Sequence, residues 1–67
     1  RNLQYLNTVQ EVLVEETSKT DSTVLSGRTR TSKLVHFKGD KDLIGKIVKV
    51  KIDNTKTWTL EGMLIDG

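Results

Sequence analysis

The sequence predicts an all-β fold, a small five-stranded antiparallel barrel. Short segments rich in β-branched residues alternate apolar and polar side chains with a period of two, and polar or glycine-containing breaks separate them. The chain is also short, since its 67 residues form one domain at most, with a small core. Closing the sheet into a barrel limits the exposed strand edges of so small a domain.

The N-terminal residues 1–7 are expected to form an ordered lead-in from an upstream domain. Leu3 and Leu6 are three residues apart, which is typical of a helix end rather than a strand. Residues 8–16 are rich in valine and precede a polar stretch at 17–22. They are therefore predicted to form the first strand, followed by a loop.

Two further strands are predicted between residues 23 and 38. In the second strand, residues 23–31, one face carries Leu25, Gly27 and Thr29, and the other carries Ser26, Arg28 and Arg30. In the third strand, residues 34–38, Val35 and Phe37 share one face, and Leu34, His36 and Lys38 share the other. One face of the second strand is therefore positive.

Residues 38–45 predict a break in the sheet that contains one helical turn. Gly39 permits a positive φ, and Asp40 or Asp42 can cap a turn that runs through Ile44. Gly45 is expected to end this turn.

The last two strands complete the predicted sheet. In the fourth, residues 46–53, Val48, Val50 and Ile52 point inward, and Lys49, Lys51 and Asp53 point outward. A turn over 54–57 leads to the fifth strand, residues 58–65, in which Gly62 predicts a bulge or a sharp bend. The predicted core consists of Val12, Val14, Val35, Phe37, Val48, Val50, Ile52, Trp58, Leu60 and Leu64. Five strands with a helical turn between the third and the fourth are typical of an OB-like barrel, with an SH3-like barrel as the alternative.

Composition narrows the classes of protein further. The chain has no Cys, so neither a disulfide framework nor a thiolate metal site is expected. No apolar run approaches the roughly 20 residues of a membrane span, and no signal peptide precedes the first strand. We expect a soluble, monomeric, cytoplasmic protein without membrane contact. Because the chain begins at Arg1 rather than Met, we also expect it to be a piece of a longer protein.

Positive charge is concentrated in the middle of the chain. Residues 27–56 contain nine Lys or Arg against three Asp, a net charge of +6, whereas both flanking segments are acidic. If the second, third and fourth strands lie side by side, Arg28, Arg30, His36, Lys38, Lys49 and Lys51 form a basic strip on one outer surface. Such a strip fits phosphate binding, although a solvated lysine-rich surface has the same sequence pattern. Lys56, in the last turn, is expected to lie away from the strip.

Residues for catalysis or metal binding are scarce. His36 is the only histidine, so a His-rich metal site is excluded and any Ser-His-Asp triad would depend on this residue. We predict no catalytic residue, metal site or cofactor in this segment. Trp58 and Phe37 are the candidate stacking platforms for nucleic-acid bases, but the alternation places both in the core. Contact through backbone phosphates and shape is therefore favoured over base stacking.

Four short motifs together resemble a known family. They are Val-Leu-Val-Glu-Glu at 12–16, Leu-Ser-Gly-Arg-Thr at 25–29, Lys-Leu-Val-His-Phe at 33–37 and Leu-Ile-Gly-Lys at 43–46. In this order they resemble the TRAM domain that closes tRNA methylthiotransferases of the MiaB type, over about residues 8–66, nearly the whole chain. Those enzymes are radical-SAM iron-sulfur proteins that add a methylthio group to an adenosine beside the tRNA anticodon.

The resemblance implies an accessory domain that binds tRNA for an attached enzyme. It implies that the 4Fe-4S clusters, S-adenosylmethionine and catalysis belong to an upstream radical-SAM domain, which agrees with the absence of Cys. The residues expected to contact RNA are Arg28, Arg30, Lys33, His36, Lys38, Lys49 and Lys51. Gly27, which lacks a side chain, is expected to let a phosphate backbone approach Arg28. Two alternatives stay open: a protein-docking barrel with no direct RNA contact, and the equivalent domain of a methylthiotransferase that acts on another substrate.

Overall fold

Five strands close into a barrel in the computed structural model, which describes residues 2–66. The strands are β1 (Val9–Thr17), β2 (Val24–Thr29), β3 (Leu34–Lys38), β4 (Ile47–Thr55) and β5 (Thr59–Asp66). Two short 3-10 helices, Asn2–Tyr5 and Lys41–Leu43, precede β1 and β4. The predicted all-β, five-stranded barrel is thus confirmed, and the bounds of β3 are those predicted from the sequence.

The order of strands around the barrel is β1-β2-β3-β5-β4, and β4 returns to pair with β1. Four of the five pairings are antiparallel, but β3 and β5 run parallel. The expectation of a purely antiparallel barrel fails at this one pairing. The reason is geometric: β4 runs opposite to β1, and β5 turns back from β4, so β5 must run in the same direction as β3.

The core lies inside the barrel and follows the period-two alternation of the strands. Its buried members are Val12, Val14, Leu25, Val35, Phe37, Val48, Val50, Ile52 and Leu60. Leu25 is an addition to the predicted core, and Leu64 is only partly buried against it. The prediction for Trp58 is wrong, because this side chain is 84% exposed. β5 begins at Thr59, so Trp58 belongs to the preceding turn and not to the inward face of the strand.

Gly62 marks an irregularity, as predicted. The pairing register of β4 with β5 shifts between Ile52 and Asn54, which lie opposite Gly62 and Glu61. A Cβ on Gly62 would collide with the carbonyl oxygen of Lys51 on the neighbouring strand. A glycine is therefore required at this close approach of the two strands.

The helical turn before β4 is capped as the sequence predicts. The carboxylate of Asp40 accepts a hydrogen bond from the backbone N–H of Asp42 at 3.0 Å, and Gly45 follows the turn with a φ of 88°. Backbone hydrogen bonds then connect this segment to β1, since Gly45 donates to Val14 at 2.8 Å and Val14 donates to Lys46 at 2.9 Å. The end of the turn is therefore attached to β1 directly before β4 begins.

Candidate nucleic-acid interface

The structure distributes the seven predicted contact residues over three parts of the surface. The prediction of one basic strip assumes that the second, third and fourth strands are neighbours. In the structure, β1 lies between β2 and β4, and β5 lies between β3 and β4. The premise of one continuous strip is therefore wrong. The seven residues form three sets: Arg28, Arg30, Lys49 and Lys51 on either side of β1; His36 and Lys38 on β3; and Lys33 at one end of the barrel.

The set around β1 contains acidic as well as basic side chains. Arg30 Nη1 lies 3.7 Å from Glu11 Oε1, and Glu11 also lies directly opposite Lys49 in the β1–β4 pairing. Lys51 lies further along β4, opposite Val9. Exposed ion pairs of this kind are worth little in stability, so the arginine remains available to an anionic ligand.

Arg28 is held in place by two neighbours. Its Nε lies 3.6 Å from Glu15 Oε1, its Nη1 donates to the carbonyl oxygen of Ser32 at 3.1 Å, and 48% of the side chain is exposed. Ser32 has a φ of 67°, which places its carbonyl at the turn between β2 and β3. The guanidinium group is thus oriented by the protein while part of its donor fork faces solvent, an arrangement that suits a bidentate anion contact.

Gly27 does not lie open to an approaching phosphate, contrary to the expectation from the sequence. A Cβ at this position would meet the carbonyl oxygen of Leu13 and, at 2.6 Å, Cγ1 of the buried Val12. The open side of Gly27 therefore faces β1 inside the barrel wall. Its role is to allow close packing of β1 and β2 beside the register shift at Val14.

The β3 set lies beside acidic groups on its neighbours. His36 is partly buried and pairs with Ser26 on β2 and with Glu61 on β5. Hydrogen bonds from Asn54 and Lys56, with a smaller contribution from the nearby His36, hold the pKa of Glu61 below its usual range. The carboxylate therefore stays ionised and reduces the positive potential beside His36.

Lys38 ends β3 on the same outer face. It is exposed and lies opposite Val24 of β2. Asp21, in the loop before β2, accepts hydrogen bonds from the hydroxyl and the backbone N–H of Thr23, which lower its pKa, with a smaller effect from Lys38. Lys38 is therefore a cation with an acidic group in its neighbourhood.

Lys33 lies in a groove that sequence reasoning does not reveal. The groove is open, has a volume of about 690 Å³, and is lined by Asn2, Leu3, Lys33, Thr55, Lys56, Thr57 and Trp58. Lys56 therefore shares a surface with a predicted contact residue and does not lie away from the site. The signal that could have indicated the groove is the polar stretch 54–57, which ends immediately before Trp58 and allows the tryptophan to belong to the turn.

Metal sites and membrane spans have no support in the described part of the chain. Within residues 2–66, no group of three His, Cys, Asp or Glu side chains lies close enough together to hold a metal ion. The sequence contains no Cys, so this segment supplies no thiolate ligands to an iron-sulfur cluster. None of the helices between residues 2 and 66 is both long enough and apolar enough to cross a membrane.

The fold and this surface define a class, that of small OB-like barrels with many exposed lysine and arginine side chains. Comparison with known families is more specific: the family profile described as TRAM domain matches residues 3–65. The chain belongs to the TRAM domain family.

Curated relatives carry a common name. The chain is 53% identical over 66 residues to the tRNA-2-methylthio-N(6)-dimethylallyladenosine synthase of Halalkalibacterium halodurans, covering 98% of this chain and 12% of that protein. It is 58% identical over 64 residues to the protein of the same name from Alkaliphilus oremlandii, covering 96% of this chain and 14% of that protein. It is 54% identical over 67 residues to the protein of the same name from Shouchella clausii, covering 100% of this chain and 13% of that protein. The chain thus spans only about an eighth of the length of these relatives.

Proposed function

We propose that this TRAM domain binds tRNA for a methylthiotransferase of which it forms one part. The observation that carries the proposal is the surplus of cations in residues 27–56, which contain nine Lys or Arg and three Asp. All nine Lys and Arg side chains are at least partly exposed on the outside of the barrel. The relatives are named for a reaction on an adenosine of tRNA. A cationic domain inside such an enzyme is suited to hold the phosphate backbone of its substrate.

Phosphate contacts are the proposed source of affinity. The proposed contact residues are Arg28, Arg30, Lys33, His36, Lys38, Lys49 and Lys51. Because these residues surround the barrel instead of forming one strip, we expect a tRNA to engage one sector of it at a time. Arg28 is the foremost candidate because, within residues 2–66, it is the arginine whose guanidinium is held by both an ion pair and a backbone hydrogen bond.

Catalysis is assigned to another part of the whole protein. We propose that residues 1–7 lead in from an upstream radical-SAM domain and that residues 8–67 form the RNA-binding domain. That upstream domain would hold the 4Fe-4S clusters and S-adenosylmethionine, for which this segment has no cysteine ligands. We expect the whole protein to act as a monomer in the cytoplasm, where tRNA is found.

Salt dependence tests the proposal directly. The 67-residue chain, which forms a closed barrel with its own core, is titrated with tRNA at several salt concentrations. We expect a dissociation constant of roughly 10⁻⁴ to 10⁻⁶ M. If about three to five phosphates are neutralised, the slope of log K against log salt lies at about −2 to −4.5.

A second function has support from apolar surface. Leu13 and Ile47 lie opposite each other on β1 and β4, and both are exposed, Ile47 by 67%. Such a pair fits a barrel that docks onto protein. Undetectable tRNA binding, or binding with a flat salt slope, would favour this function and contradict the first. The equivalent domain of a methylthiotransferase with another substrate would be indicated by a clear preference for that substrate over tRNA.

A further inference from the structure

The single tryptophan of the chain is displayed on the surface. Trp58 is 84% exposed, whereas the only phenylalanine, Phe37, is 3% exposed in the core. An exposed indole adds little to the stability of the barrel, because burial is what makes an aromatic side chain stabilising. Leu3, also exposed at 72%, lines the same groove, so the apolar surface here is a patch and not an isolated side chain.

Hydrogen bonds hold the turn that carries Trp58 on two sides. Within the turn, the backbone N–H of Lys56 donates to the carbonyl oxygen of Thr59 at 2.8 Å. From outside, the amide of Asn2 donates to the carbonyl oxygens of Lys56 and Thr57 at 2.7 and 3.0 Å. The backbone beneath the indole is therefore ordered before any ligand arrives, which lowers the entropic cost of binding.

The positive charge of the groove favours an anionic ligand. Lys33 and Lys56 are the charged residues among those that line it, and both are positive. Lys56 is positioned by Glu61, whose Oε2 lies 3.3 Å from its Nζ. A groove that contains an aromatic face and two cations is complementary to a nucleobase with its negatively charged neighbouring phosphates.

We propose that Trp58 is a stacking platform for one unpaired base of RNA, with Lys33 and Lys56 contacting the adjacent phosphates. This inference rests on the proposed RNA-binding function and adds to it a preference for single-stranded over paired segments. Bases within a duplex stack on each other and cannot place a face on the indole, whereas bases in a loop can. It also revises the expectation, drawn from the sequence, that contact through backbone phosphates is favoured over base stacking.

Fluorescence of the single tryptophan provides the assay. Two probes with the same number of phosphates are titrated into the 67-residue chain: an RNA stem-loop with a single-stranded loop, and a blunt-ended RNA duplex. A base stacked on the indole quenches its emission. We expect quenching by the stem-loop and little change with the duplex, even where the duplex binds through phosphates.

Substitutions separate stacking from charge. Trp58→Ala should weaken stem-loop binding, measured by anisotropy of labelled RNA, by roughly 5- to 150-fold for one lost stacking contact. Its salt slope should not change. Trp58→Phe should recover part of the affinity, and Lys33→Gln should instead make the slope shallower by about 0.7 to 0.9. The matched control is Ile44→Ala, an exposed apolar residue beside the other 3-10 helix, at the opposite end of the barrel.

The outcomes distinguish this inference from the function on which it rests. Salt-dependent binding of both RNAs without quenching, and with unchanged affinity of Trp58→Ala, would overturn the stacking site and leave phosphate binding in place. The tryptophan would then belong to a protein contact. Failure of both RNAs to bind at any salt concentration would overturn the RNA-binding function and the inference together. Equal quenching by the duplex and the stem-loop would overturn the preference for unpaired bases.

Discussion

Replacing Gly27 by alanine should destabilise the barrel severely. The added Cβ would collide with the backbone carbonyl oxygen of Leu13 and with Cγ1 of Val12, 2.6 Å away. Neither atom can move aside easily, because the first belongs to a paired strand and the second to a fully buried side chain. Overpacking typically costs about 1 to 3 kcal/mol, and a clash with a strand backbone belongs at the upper end, about 3 kcal/mol.

That cost is large for a domain of this size. At the usual stability per residue, 67 residues give roughly 3 to 10 kcal/mol in total. A loss of about 3 kcal/mol lowers the midpoint of thermal unfolding by about 12 to 24 °C. Far-UV circular dichroism is the appropriate measurement, because the exposed Trp58 is a poor reporter of unfolding.

Gly45→Ala is the matched control. This glycine has a φ of 88°, but a Cβ added to it would meet no atom within 4 Å, so alanine there costs only the backbone strain, about 1 to 2 kcal/mol. Gly27→Ala should therefore be the more destabilising of the two. A Gly27→Ala protein with the thermal midpoint of the unsubstituted chain, or above that of Gly45→Ala, would refute the packing argument. If it then also bound tRNA less well, a role for Gly27 beside a phosphate would return.

Three further predictions concern the core, the surface and the effect of pH. Val50→Asp should leave the chain unfolded by circular dichroism at 25 °C, because an unpaired carboxylate replaces a side chain with no solvent exposure. Arg28→Ala should weaken tRNA binding with almost no change in thermal midpoint, and Arg28→Lys should recover only the part of the affinity that is due to charge. The control is Lys41→Ala, a substitution of an exposed lysine that should bind tRNA normally. Unaltered tRNA binding by Arg28→Ala would remove this residue from the interface. Glu61, whose pKa is lowered by the hydrogen bond from Asn54 and then by Lys56, should add stability above its unfolded-state pKa of about 4.3 and lose it as the pH falls through the lower folded value. The difference in midpoint between the chain and Glu61→Gln should therefore be present at pH 7 and vanish in acid, and a constant difference would contradict this assignment.

Local features of the fold were predictable because they depend on a few adjacent residues. The inward Val48 and Val50 follow from a period of two, and the capped turn at Asp40 and Gly45 follows from the chemistry of caps. The irregularity opposite Gly62 was predictable for the same reason, since a glycine inside a strand marks a close backbone approach.

Strand neighbours and the surface site depend on distant parts of the chain. Alternation shows which face of β4 points outward but not that β1 and β5 flank it, so the prediction puts Lys49 and Lys51 beside the wrong strands. For Trp58 the error is that the fifth strand was predicted to begin one residue too early, at Trp58 instead of Thr59. A difference of one residue is enough to move a side chain from the core to solvent. Its groove also depends on Asn2, more than fifty residues away in sequence.

The parallel pairing of β3 with β5 has a consequence for the folding of a growing chain. β5 is the last strand to be synthesised, yet it is the strand that joins β3 to β4. Until residues 59–66 have left the ribosome, β3 and β4 each present a row of unpaired backbone N–H and C=O groups, the template on which strands from other molecules add. A truncated chain that ends near Lys56 would thus expose an open sheet with two such edges, a target for chaperones and a source of aggregation, and the addition of β5 converts it into a barrel with none.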